Sequence, residues 1–107
     1  MRILFDQGTP ANIRRYVEGH QVKTAYQMGW SMLKNGDLLR QAEEERFDLL
    51  LTSDQNMAYQ QTLAGRKIAI VVLGKNRWSL VRRVLPEIVK AVNEAETGSY
   101  MLVEIGS

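Results

Sequence analysis

Asp6 and Asp54 each follow a short apolar run, Arg2-Ile3-Leu4-Phe5 before the first and Asp48-Leu49-Leu50-Leu51-Thr52-Ser53 before the second. Runs of that length bounded by turn-type residues read as buried parallel strands, and open parallel sheets bind ligands outside the strands' carboxyl ends. Two carboxylates on such a rim predict a divalent-cation site. Asp37, at the start of the helix that would feed the third strand, is the third candidate. Clustered carboxylates repel one another, and a cation is the simplest means of holding them together. Oxygen donors, with one histidine and no cysteine in the chain, point to Mg2+ or Mn2+ rather than zinc. An ion of that kind activates water and aligns it with a phosphodiester. Asp6 and Asp54 are the expected ligands, Asp37 a ligand or the group that orients the water, and Asn56 a source of one carbonyl oxygen. A structural alternative stands beside each role: Asp37 and Asp54 both precede helical patterns and would serve there as caps. Asp6 fits a cap less well, because Thr9 already offers one.

Basic residues gather towards the carboxyl half. Arg66, Lys67, Lys75, Arg77, Arg82, Arg83 and Lys90 share their stretch with one acid, Glu87, and such local density suits a polyanion as well as a solvated helix face. Trp78, between Arg77 and Arg82, is the better placed of the two tryptophans to stack on a base. Lys75, Arg77, Trp78 and Arg82 are therefore the expected RNA-binding set. Trp30 is the weaker candidate, since tryptophans more often pack. His20, the sole histidine, has no neighbouring group that suggests a catalytic pair and reads as a surface or turn residue.

These groups must be carried by elements that the spacing predicts. After the first strand, Thr9-Pro10 offers a capping hydroxyl and a first-turn proline for a helix with Ile13, Tyr16 and Val17 on one side, closed by Gly19. His20 to Ala25 alternates as a second strand near an edge, and Tyr26 to Lys34 is irregular. Asn35-Gly36-Asp37 opens a helix with Leu38, Leu39, Ala42 and Arg46 in register and Glu43, Glu44 and Glu45 towards water. A third strand spans about Asp48 to Thr52, and a short helix runs from Asp54 through Met57, Ala58, Gln61 and Leu63 to Gly65. Ile68 to Leu73 is a central strand buried on both faces. Behind Ser79 as cap, Leu80, Val81, Val84, Leu85, Ile88, Val89 and Val92 form the most regular helix, which Pro86 should kink or restart. Gly98-Ser99 then turns the chain into a fifth strand, Met101 to Ile105. Alternating strands and helices argue for an α/β fold, a parallel sheet with helices on both faces.

A chain of 107 residues is expected to form one domain over 1–107, with a core large enough to need no staples. The absence of cysteine excludes disulfides and thiolate chemistry and fits a reducing compartment. The start Met1-Arg2-Ile3 with a charge at Asp6 lacks a secretory pattern, and no run is long enough to span a bilayer, so a soluble cytoplasmic protein without membrane partners is expected.

Taken in order, Arg2 to Pro10, Gly19 to Val22, Asn35 to Leu39 with Ala42, and Leu49 to Asn56 resemble short PIN-like domains related to VapC-type toxin ribonucleases. The resemblance implies a three-layer α/β/α sandwich with a mostly parallel sheet of about five strands, an Mg2+ or Mn2+ site and endoribonuclease activity. It matches Asp6 to the acid after the first strand, Asp37 to the acid at a helix start and Asp54 to the acid of a strand-end "T-x-D" motif. It also implies an RNA substrate and a small antitoxin protein as partner, and a homodimer is compatible with it. Two departures stand out: Asn56 replaces a further aspartate often found after "T-x-D", and a helix-borne glutamate of full-length relatives has no counterpart. Fewer charged ligands attract magnesium more weakly. The alternative is a catalytically inactive PIN-like module that binds RNA or protein. A third expectation is a phosphate-handling, response-regulator-like module, with Lys75 placed after the fourth strand.

Overall fold

β-branched and leucine-rich runs fill the middle of a five-stranded sheet in the computed structural model, which describes residues 1–57 and 66–106. The strands are β1 (Arg2–Phe5), β2 (Gln21–Thr24), β3 (Leu49–Thr52), β4 (Ala69–Leu73) and β5 (Tyr100–Val103). Their order across the sheet is β2-β1-β3-β4-β5, and every pairing is parallel. Leu50 lies beside Leu4 and Ile70, so successive apolar residues meet at the same level. Every residue of β3 and β4 is buried, as continuous apolar strands covered on both faces require. Full burial of one such leucine or isoleucine stabilises by about 1.5–3 kcal/mol.

Alternation along the strands divides the core in two. Ile3, Phe5, Leu49, Leu51, Ala69, Val71 and Leu73 pack with Ile13, Val17, Val81, Leu85, Ile88 and Val92. Leu4, Leu50, Ile70 and Val72 turn the other way, towards Leu38, Leu39, Ala42, Phe47 and Met57. One face is thus covered by a 3-10 helix (Ala11–Tyr16) and the carboxyl-half helices, the other by α1 (Asn35–Glu44). This is a layered α/β arrangement, and its strand order is that of flavodoxin-like doubly wound sheets.

Several elements differ locally from expectation. The segment after Pro10 is a 3-10 helix with Pro10 at its N-cap position. Thr9 does not cap it; its buried hydroxyl donates to the Leu51 carbonyl at 2.8 Å, which ties the β1 loop to β3. Of Ile13, Tyr16 and Val17, expected on one side of this segment, Ile13 and Val17 are buried and Tyr16 is 46% exposed. Ser79 is not a cap either, because the carboxyl-half helix begins one residue earlier with Arg77 at its N-cap position. That helix is divided into α2 (Trp78–Val81), a 3-10 turn (Arg82–Val84) and α3 (Leu85–Glu94) with Pro86 in the first turn. The proline ring cannot donate to the Arg82 carbonyl, so the chain tightens and restarts, as the sequence led one to expect. Glu43 is not turned to water: it pairs with Arg66 and accepts the Lys67 N–H at 3.0 Å, which removes Arg66 from the free basic groups. The expected helix beyond Met57, with Ala58, Gln61, Leu63 and Gly65, lies outside the described residues. No helix among the described residues is long and apolar enough to cross a membrane.

Candidate functional site

In this order of strands the chain leaves β1 for the edge strand β2 by a segment packed on one face and passes from β2 to β3, on the other side of β1, by α1 packed on the opposite face. The gap between the carboxyl ends of β1 and β3 is therefore the topological switch point, the usual ligand position in such sheets. Asp6 is the first residue after β1, and Asp54 is the second after β3. Both are half-buried.

Thr52, the last residue of β3 and fully buried, joins them. Its hydroxyl donates to Asp6 Oδ2 at 2.7 Å and accepts the backbone N–H of Asp54 at 3.1 Å. The other Asp6 oxygen accepts the Gln7 N–H at 2.7 Å. Asp54 Oδ1 accepts the Asn56 N–H at 2.9 Å, and Oδ2 accepts the Asn35 side-chain amide at 3.0 Å. Asp54 thus organises its own turn, while its second oxygen is gripped from α1. The Asn56 side chain is exposed on this rim.

Three loops close the rim. Ser53 Oγ donates to the Gly8 carbonyl at 3.4 Å, and Gln55 Nε2 donates to the Gly74 carbonyl at 2.8 Å. Space here is tight enough that a Cβ added to Gly8 would lie 2.8 Å from Ser53 Oγ. A groove of about 450 Å³ beside Ser53 is lined by Gly74, Lys75, Asn76, Arg77 and Leu80. Lys75 and Arg77 therefore share a groove with Ser53, the residue between Thr52 and Asp54.

Asp37 is placed differently. It lies in the first turn of α1 and is 58% exposed, paired with Arg40 at 3.1 Å. The start of α1 does reach the rim, but through Asn35, two residues earlier. Among the described residues no group of three or more His, Asp or Glu side chains is gathered to hold one ion. Trp78 and Arg82 also separate from Lys75 and Arg77, since they line a different groove. Trp30 packs edge-on against Phe47, with ring centroids 6.0 Å apart. His20 bridges the Met1 amine and Asn93.

Thr52 and Asn35 are the rim residues that sequence reasoning did not single out as functional. A hydroxyl ending an otherwise apolar strand, two positions before an aspartate, is the pattern that identifies the first. Nothing in the local sequence identifies Asn35, because its partner is 19 residues away.

Carboxylate oxygens are the donor type that hard divalent cations take. Asp6 and Asp54 offer four carboxylate oxygens, each with one hydrogen bond and lone-pair capacity remaining. Neither acid forms an ion pair among the described residues. Magnesium is commonly held by one or two carboxylates, with water and substrate phosphate completing its shell. No family model, curated protein or solved structure matches this chain.

Proposed function

We propose that this chain is a PIN-like, Mg2+- or Mn2+-dependent endoribonuclease, the toxin of a toxin-antitoxin pair. The observation that carries the reading is the joining of Asp6 and Asp54 through Thr52 at the switch point of the sheet, with Lys75 and Arg77 in the groove that Ser53 lines. Asp6 and Asp54 would hold the ion, with Thr52 and Asn35 fixing their carboxylates in place. The bound ion would lower the pKa of a water and stabilise charge on the leaving oxygen. Lys75 and Arg77 would neutralise phosphates of the strand being cut. The antitoxin rests on the family resemblance alone. A homodimer would find an unpaired edge at β5, where Tyr100, Met101 and Leu102 are exposed.

The test is cleavage of single-stranded RNA with Mg2+ or Mn2+, accompanied by calorimetric titration of the metal. Asp6→Asn and Asp54→Asn are expected to abolish cleavage and to remove the rise in melting temperature that metal binding gives. Cleavage by both variants at the wild-type rate would discard the reading. Asp37→Asn is expected to leave both measurements within about twofold, because Arg40 already holds its carboxylate in solvent.

The Asp37–Arg40 pair favours a second reading, a PIN-like module that binds RNA or protein without cutting. RNA retention by a chain that neither binds millimolar metal nor cleaves would establish it. A phosphoacceptor role for Asp54 is less favoured: Lys75 follows β4, but Gln7 stands where a second acid would follow Asp6.

A further inference from the structure

A second groove, of about 550 Å³, lies between the Ala11–Tyr16 helix and the Trp78–Val84 segment. It is lined by Asn12, Arg15, Tyr16, Trp78, Arg82, Arg83 and Leu85. Three guanidinium groups and no carboxylate line it. Among the described residues, none of the three arginines forms an ion pair. A merely solvated face needs no concavity and no aromatic wall. Here Tyr16 and half-buried Trp78 stand with centroids 6.3 Å apart and planes tilted by 36°, above the nearly buried Leu85.

Pro86 accounts for this arrangement. The 3-10 turn it imposes separates Arg82 and Arg83 from the regular helix stripe, while Val81 and Leu85 on either side stay in the core. The geometry points to a binding site for a nucleoside phosphate, its base against Trp78 and Tyr16 and its phosphate at Arg15, Arg82 and Arg83. Aromatic faces accept any base, and arginine forks match phosphate oxygens. Asn12 adds an amide able to donate to and accept from a base edge. The inference does not depend on the acidic rim, whose lining residues are distinct.

Titration of the full chain with AMP, a single-stranded oligouridylate, inorganic phosphate and polyglutamate tests the site, with calorimetry and tryptophan fluorescence as readouts. AMP and the oligouridylate are expected to bind and to quench Trp78. Trp78→Phe should keep the affinity while losing the quenching, and Trp78→Ala should weaken binding roughly tenfold. Arg82→Gln and Arg83→Gln, both at exposed positions, should each lower the salt slope for the oligouridylate by about 0.7. Tighter binding of the oligouridylate than of AMP identifies a strand as the source, and equal binding a free nucleotide. The double variant Asp6→Asn/Asp54→Asn is expected to bind as the wild type does, which separates this groove from the nuclease reading. Phosphate or polyglutamate binding as tightly as the nucleotides would overturn the proposal, as would failure of both AMP and the oligouridylate to bind.

Discussion

Thr52 has one hydrogen to give and gives it to Asp6, while its oxygen receives the N–H of Asp54. Valine has nearly the same shape without the hydroxyl. Thr52→Val would leave a carboxylate oxygen without its donor and the Asp54 amide without its acceptor, at a cost of about 1–3 kcal/mol. Urea denaturation should show that loss, and Thr52→Ser should recover most of it. A valine variant as stable as the wild type would mean that solvent satisfies the half-buried Asp6 carboxylate and Asp54 amide in place of the hydroxyl. On the proposed function, the same substitution lowers metal affinity or cleavage by about 10–100-fold, as loss of a partner behind a ligand does.

The ends of the helices are set by backbone conformation at a few positions. Arg46, which the apolar spacing placed on the helix, lies beyond it with φ +61°, and the Phe47 N–H returns to the Ala42 carbonyl at 2.9 Å. A left-handed arginine costs roughly 1–2 kcal/mol that glycine avoids, partly offset by the greater freedom of glycine in the unfolded chain. Arg46→Gly should therefore raise the melting temperature by a few degrees in a calorimetric scan. Gly98, before β5, is the opposite case. Its φ is +74°, and a Cβ there would sit 2.8 Å from the Arg66 carbonyl oxygen. Gly98→Ala should lower stability by about 2 kcal/mol or more, while Gly8→Ala, whose obstacle is the rotatable Ser53 hydroxyl, should cost less.

Across the whole molecule, stability should follow position in the sheet. β3 and β4 are paired on both sides and buried on both faces, whereas β2 and β5 are edges with exposed residues. Hydrogen exchange measured peptide by peptide should be slowest in Leu49–Thr52 and Ala69–Leu73 and fastest, among strands, in Gln21–Thr24 and Tyr100–Val103. Equal protection of β5 and β4 at high protein concentration, lost on dilution, would reveal pairing through the β5 edge.

The sequence by itself determined the alternation of strands and helices, the buried character of β3 and β4 and the helix restart at Pro86. Each of these is a local consequence of apolar spacing or of a missing N–H. It also placed Asp6 and Asp54 at strand ends, and one rim for both followed once the strands were parallel. Tertiary structure alone decided that β1 lies beside β3, because strand order depends on which faces the crossing segments cover and leaves no mark within any one strand. It likewise decided the partners of side chains whose reach exceeds their neighbourhood: Asn35 rather than Asp37 meets Asp54, Arg66 is taken by Glu43, and Tyr16 meets Trp78. Spacing reports which way a residue faces on its own element, and packing determines what it finds there.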